Sequence, residues 1–235
     1  MAKLINKGVV KMEFEKKTLN YSEEDMAEKN KENVSLFYND ALYLGYGKYD
    51  YNIYIRVKNI DYKKKVILHY DDGQGWKEAE GVYVNKLNDN NYDIFKVSLD
   101  TIDSIKYFIT YEVNGKVYKD DNNKKYYTDE ALGTAPMCAI RSSGVNEVYL
   151  RVKKYENKKK LFVHYTADNW RNVKSDIELV KVENYNDNTE LWKATLDTGR
   201  SKEDIKYAFY LKLYGNVYWD NNFGLNYDES FSKVR

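Results

Sequence analysis

Ile53-Tyr54-Ile55-Arg56-Val57-Lys58 alternates apolar and polar side chains with a period of two. That spacing suits a strand with one face in a core and the other in water. Val66–Tyr70 and Ile105–Val113 are further strand-like runs, and Asp72-Gly73, Asn88-Asp89-Asn90-Asn91 and Asn114-Gly115 supply turn signals around them. Short strands joined by close turns predict an antiparallel β-sandwich.

The same order then returns. Arg56-Val57-Lys58 recurs as Arg151-Val152-Lys153, Lys63–Lys65 as Lys158–Lys160, and His69-Tyr70 as His164-Tyr165. Trp76 recurs as Trp170, Leu99-Asp100-Thr101 as Leu196-Asp197-Thr198, and Ile105-Lys106-Tyr107 as Ile205-Lys206-Tyr207. The offset drifts only between strand-like runs, where loops absorb insertions. This is a tandem duplication. Gly133, Thr134 and the only proline, Pro136, mark a short linker within Ala131–Met137. The expected organisation is an N-terminal extension over 1–33, a first sandwich over 34–130 and a second over 137–235. Within the extension, Gly8–Phe14 reads as a short strand. Ser22 followed by Glu23, Glu24 and Asp25 reads as a helix start with acids in its first turn.

Composition narrows the partners. Lysine plus arginine number 38 against 37 acids, so no strong field favours nucleic acid or an anionic membrane. One cysteine, Cys138, excludes an internal disulfide framework. No apolar run follows the first lysine, so neither a secretory signal nor a membrane span is expected, and a cytoplasmic setting is the simplest reading. Tyrosine number 25 and aromatics make up 16% of the chain, more than two cores need. Some rings must therefore be exposed, and exposed rings tend to mark binding surfaces.

Tyr218–Tyr227 reads YWDNNFGLNY. Asn, Asp and Gly make it a turn, yet the turn carries Tyr218 and Trp219 beside several carboxamides. A ring face beside amide donors and acceptors is one way to hold a sugar. Trp219, Asp220, Asn221, Asn222, Asn226 and Tyr227 match position by position the C-terminal signature of carbohydrate-binding module family 21. The chain resembles that family over both halves, roughly 34–128 and 138–231. These modules are the starch- and glycogen-binding domains of some fungal glucoamylases and of the glycogen-targeting subunits of protein phosphatase 1. The resemblance implies an all-β fold, two tandem immunoglobulin-like antiparallel β-sandwiches, each able to carry sugar sites.

It also implies where those sites lie. One site uses a tryptophan after the His-Tyr strand, an aromatic on the penultimate strand and the aromatic before Asp-Asn-Asn. In the second half these fall on Trp170, on the neighbourhood of Ala208 with Tyr210 as the substitute ring, and on Trp219, with Asn222 and Asn226 as amide partners. In the first half Trp76 and Phe108 remain, but Lys119 replaces the aromatic before Asp120. A second kind of site uses Asn-x-x-Tyr-x-Lys with further aromatics. The first half keeps it as Asn59, Tyr62 and Lys64, with Tyr83 and Tyr92. The second half has Lys154, Asn157 and Thr189 at the positions of Asn59, Tyr62 and Tyr92. Trp192 matches Phe95 within an apolar-periodic run and is expected in the core.

No Gly-x-Ser-x-Gly, P-loop or His-Glu-x-x-His motif occurs, so an enzyme is not expected. His69 and His164 read as repeat-equivalent structural residues. No cofactor and no metal ion is expected, the Asp-rich turns being the one place where a calcium ion could sit. The implied ligand is an α-1,4-glucan, either polysaccharide or oligosaccharide, bound without chemistry. The alternative is an adaptor that brings a Ser/Thr phosphatase, or a glycogen enzyme, to glycogen. Lys11-Met12-Glu13-Phe14 resembles the Arg/Lys-Val-x-Phe docking stretch of the targeting subunits, with Met in place of Val.

Overall fold

The computed structural model describes residues 31–87, 91–128, 132–141, 146–155, 158–197 and 204–231. The strand expected at Gly8–Phe14, the helix start expected at Ser22 and the Lys11–Phe14 stretch lie outside the described residues, and residues 31–33 are helical.

The first sandwich is built from β1 (Val34–Gly45), β2 (Lys48–Lys58), β3 (Lys64–Asp71), β4 (Trp76–Glu80), β5 (Val82–Lys86), β6 (Tyr92–Thr101), β7 (Lys106–Val113) and β8 (Lys116–Asp120). Its sheets run β1-β2-β6-β5 and β4-β3-β7-β8, with every described pairing antiparallel. Two such four-stranded sheets follow the ABED and C′CFG order of immunoglobulin-type sandwiches. The second sandwich repeats it with β9 (Met137–Ile140), β10 (Glu147–Lys153), β11 (Lys160–Thr166), β12 (Ile177–Glu178), β13 (Val180–Asn184), β14 (Thr189–Thr195), β15 (Lys206–Leu213), β16 (Asn216–Asp220) and β17 (Tyr227–Asp228). Its sheets run β9-β10-β14-β13 and β12-β11-β15-β16, with β17 on β15. The expected all-β architecture of two tandem sandwiches is what the chain adopts.

The period-two pattern explains the burial. In β2, Tyr51, Ile53, Ile55 and Val57 are buried while Asn52, Tyr54 and Arg56 are only partly so. In β7 and β15, Tyr107, Ile109, Tyr111 and Val113 match Tyr207, Phe209, Leu211 and Leu213, all buried. Each sandwich thus closes its own core, one around Tyr51, Leu68 and Ile109, the other around Leu150, Leu161 and Phe209. Burying each such side chain stabilises by about 1.5–3 kcal/mol. Trp192 packs against the second core half-exposed, its Nε1–H donating to Glu190 at 3.0 Å.

A third, smaller cluster joins the sandwiches. Tyr38, Ala135 and Cys138 are buried there, with Tyr54 and Phe223 packed around them. The Phe223 ring lies 5.2 Å from that of Tyr54. Burial within this cluster pushes the Cys138 thiol well up, as befits an inert side chain. Beside it, Arg141 pairs with Asp40 at 2.9 Å and Asp50 at 2.5 Å. The linker expected from Gly133 and Pro136 is no loose tether. Thr134 and Ala135 donate their N–H groups to the carbonyls of Leu36 and Phe37 at 2.8 and 3.0 Å. A Cβ at Gly133 would meet the Leu36 carbonyl oxygen at 2.0 Å, which requires glycine there. No helix among the described residues is long and apolar enough to cross a membrane.

Candidate functional site

In β11 the residues Leu161, Val163 and Tyr165 point into the core, so Phe162 and His164 face outward. Register places Phe162 opposite Tyr210 and Tyr210 opposite Trp219, making a row of rings across three strands. His164 lies opposite Ala208, as His69 lies opposite Phe108 in the first half, so Ala208 does occupy the position of Phe108.

Trp219 is 53% exposed and is the outermost of these rings. Tyr210 is only 6% exposed. Its ring centroid lies 4.8 Å from Trp219 and 4.9 Å from Phe162. The structure therefore puts Tyr210 beneath Trp219 as a support, where the sequence reading had it as an open ring. Trp170 stacks on His164 at 5.5 Å, and Trp219 meets the same imidazole edge-on at 6.0 Å. His164 thus sits between the two tryptophans. Sequence reasoning treated it as structural. The signal that could have found it is strand parity, which places it on the outward face with Tyr210.

The backbone and charges hold this arrangement. Trp170 has φ 65°, in the left-handed region. Its loop is pinned by Asp168, whose Oδ1 accepts from the Asn172 N–H at 2.8 Å and the Thr166 hydroxyl at 2.7 Å. Those bonds hold the Asp168 carboxyl down at about 2. Asp176 accepts from the His164 Nδ1–H and the Tyr210 hydroxyl, both at 2.7 Å. Burial raises the Asp176 carboxyl, but these hydrogen bonds outweigh it and leave it below the usual carboxylate range. Burial, with the bond to Asp176, pushes the Tyr210 phenol up to about 12. One carboxylate therefore fixes both the imidazole under Trp170 and the phenol under Trp219.

The signature after Trp219 has a different task. Asp220 Oδ1 accepts from the Tyr227 hydroxyl at 2.7 Å, and its Oδ2 accepts from the Ala139 N–H at 3.1 Å. Asn222 donates its Nδ2–H to the Asn226 carbonyl at 3.2 Å, with φ 51° and 60° at the two residues. The first half repeats this: Asp120 accepts from Tyr127 at 2.8 Å and Leu36 at 3.0 Å, and Asn122 donates to the Tyr126 carbonyl at 3.0 Å. In both halves the motif clasps its own loop and ties it to the first strand. The Asn222 amide, expected to reach a sugar, closes that loop.

On the first-half face Trp76 is 47% exposed. It contacts Phe108 at 5.3 Å and Tyr126 at 5.2 Å. Phe108 stacks on His69 at 4.4 Å and is capped by the Lys119 ammonium at 4.5 Å. Lys119 thus occupies the ring face that Trp219 would cover, and Trp76 and Tyr126 remain.

Of the residues of the second kind of site, the structure joins Asn59 and Lys64 but leaves the three tyrosines apart. Lys64 is 7% exposed, buried in an ion pair with Asp93, and donates to Asn59 Oδ1 at 2.7 Å. Its repeat counterpart Lys159 pairs likewise with Glu190 at 2.6 Å. The ammonium expected to bond a ligand is therefore a structural cation in both halves. Tyr62 is 95% exposed on its loop. Tyr83 lies opposite Phe95, edge-on to its ring, while Tyr92 lies under the Arg56 guanidinium on the other face of that sheet. Among the described residues no group of three or more His, Cys, Asp or Glu is placed to hold a metal ion.

The chain is 39% identical to glucoamylase 1 of Rhizopus oryzae over 79 residues, 31% of this chain. It is 30% identical to the starch-binding domain of the same organism's glucoamylase, solved with β-cyclodextrin and maltoheptaose, covering 92% of that domain and 42% of this chain. The chain belongs to carbohydrate-binding module family 21. It spans only 13% of the length of the glucoamylase. The TM-score to the solved starch-binding domain is 0.36. The module of the muscle glycogen-targeting subunit of protein phosphatase 1 gives the same score, at 22% identity over 48% of this chain and 86% of that one. No protein-family model matches the chain. Within the family 21 signature, the ring before Asp-Asn-Asn is outward, Tyr227 is buried, and the Asn residues are only partly exposed.

Proposed function

We propose that this tandem family 21 protein binds α-1,4-glucan and performs no chemistry on it. The two modules are 34–130 and 137–235, and the principal site is the outer face of β11-β15-β16. The observation that carries this reading is the pair of rings, Trp170 and Trp219, set on either side of His164. They offer apolar faces to the C–H faces of successive glucoses. Asn226 and the rim of the Trp170 loop supply amides and carbonyls for the hydroxyls. Trp76, with Tyr126 and Phe108 behind it, forms the weaker first-half face. Asn59 and Tyr62 remain candidates there, without Lys64. Two open sites on one chain raise the effective concentration and improve avidity by about 10² when one glucan spans both.

The Asp176–His164 bond gives a test of positioning. His164→Ala should lower affinity for β-cyclodextrin several-fold, because Trp170 loses the ring it stacks on. Calorimetric titration reads this, and the near-ultraviolet dichroism of the tryptophans should change with it. Unchanged affinity would remove His164 from the site.

The adaptor role, with a Ser/Thr phosphatase or glycogen enzyme as partner in the cytoplasm, rests on Lys11–Phe14. Phe14→Ala should abolish phosphatase capture and leave glucan affinity intact. Equal capture by wild type and variant would discard this role for the stretch.

A further inference from the structure

A cleft of about 470 Å³ opens between the sandwiches. Asn122 and Tyr126 line it from the first, and Arg151, Tyr185, Asn186 and Asp187 from the second. Its volume lies within the range of small-molecule sites, about 300–1,000 Å³. We propose that this cleft takes the end of a linear α-1,4-glucan lying on the Trp76 face, so that one glucan touches both sandwiches. The proposal rests on the glucan reading above and adds a site to it.

Continuity is the first argument. Tyr126 contacts the Trp76 ring at 5.2 Å and also lines the cleft, so the exposed first-half platform leads directly into it. The lining chemistry is the second. Arg151 lies over the Tyr185 ring at 4.9 Å and is paired with Asp187 at 2.5 Å. Among the described lining residues Arg151 is the strong cation, and Asp187 neutralises it at the wall. What remains among the described lining residues is Tyr126, Tyr127 and Tyr185 with Thr128 and the amides of Asn122 and Asn186, a lining suited to an uncharged polyol rather than to an anion.

The third argument is the asymmetry of the duplication. The second sandwich sends Phe223 into the interface, where it packs on Tyr54, and Asn85 Nδ2–H donates to its carbonyl at 2.9 Å. At the offset that relates Tyr127 to Tyr227, the counterpart of Phe223 is Asn123. Both residues have φ 56°. One loop therefore fills its gap with a ring, while the other carries a short exposed amide next to Asn122, which lines the cleft.

The experiment is calorimetric titration of the full chain with maltoheptaose and with β-cyclodextrin. The closed ring of cyclodextrin has no end to extend into the cleft. Tyr185→Ala should weaken maltoheptaose binding by about tenfold, the scale of one lost aromatic stack, and leave β-cyclodextrin binding unchanged. Asn123→Phe should weaken maltoheptaose in the same selective way without lowering the melting temperature, since Phe223 already tolerates that backbone; this keeps the test sound if Tyr185→Ala folds poorly. Unchanged maltoheptaose affinity in both variants, or equal weakening of both sugars, overturns the cleft site while leaving the glucan reading standing. A folded wild type that binds neither sugar overturns that reading, and the cleft with it.

Discussion

Trp219→Ala lowers affinity for maltoheptaose and β-cyclodextrin by about 1–3 kcal/mol, roughly five- to 150-fold, taking the cost of losing a base stacked on an aromatic as the analogue. Trp219 is the most exposed ring of the Phe162–Tyr210–Trp219 row, so it is the face a sugar meets first. Its removal uncovers Tyr210, whose ring lies directly behind it. Some stacking should survive, and the double variant Trp170→Ala/Trp219→Ala should fall further. Residual maltoheptaose binding by the double variant would belong to the first sandwich and should disappear when Trp76→Ala is added. Calorimetric titration reads all three steps. Wild-type affinity in Trp219→Ala would take this platform out of the proposal, and a folded wild type silent at millimolar sugar would end the glucan reading.

Asp220→Ala should destabilise the second sandwich by on the order of 3 kcal/mol or more. The side chain is partly buried against buried partners, Tyr227 and Ala139, and desolvation raises its carboxyl. It accepts from the Tyr227 hydroxyl and the Ala139 N–H. Truncation orphans both donors, and each buried unsatisfied donor costs about 1–3 kcal/mol. Asp220→Asn keeps one acceptor and should cost about half as much. Urea unfolding followed by tryptophan fluorescence measures the loss, with the transition of the second sandwich resolved separately because two such units need not unfold together. Asp120→Ala should act likewise on the first sandwich, through Tyr127 and Leu36. A loss under about 0.5 kcal/mol, the range of an ordinary surface change, would mean that the motif is not the clasp described. Signature residues that look like ligand contacts would then need to be reassigned to the surface.

These two variants separate what the signature does. Trp219 turns its ring outward, and Asp220, one residue on, turns inward to Ala139 and Tyr227. Adjacent residues of a strand point to opposite faces, so the motif is half surface and half scaffold. The amides of the turn looked equally available in the sequence. Asn222 is used within the loop, because left-handed backbone at Asn222 and Asn226 brings its Nδ2–H onto a carbonyl four residues on.

Strand alternation and the internal duplication were enough to establish the all-β class, the two tandem sandwiches, and the alignment that puts Ala208 at the position of Phe108. Those features depend on local periodicity and on repeat spacing, which one chain carries in full. The covering of each outward residue was decided only by the tertiary structure. Lys64 reads as a turn lysine, yet the fold swings it into a buried pair with Asp93, as it swings Lys159 onto Glu190. Tyr210 reads as an open ring until Trp219 arrives across β16 to cover it. His164 gains its place from a loop tryptophan and from Asp176, twelve residues away, and the cleft at Tyr185 from a loop of the other sandwich. The physical reason is the same in each case: a strand's period says which way a side chain points, but the atoms it meets there come from residues distant in the chain.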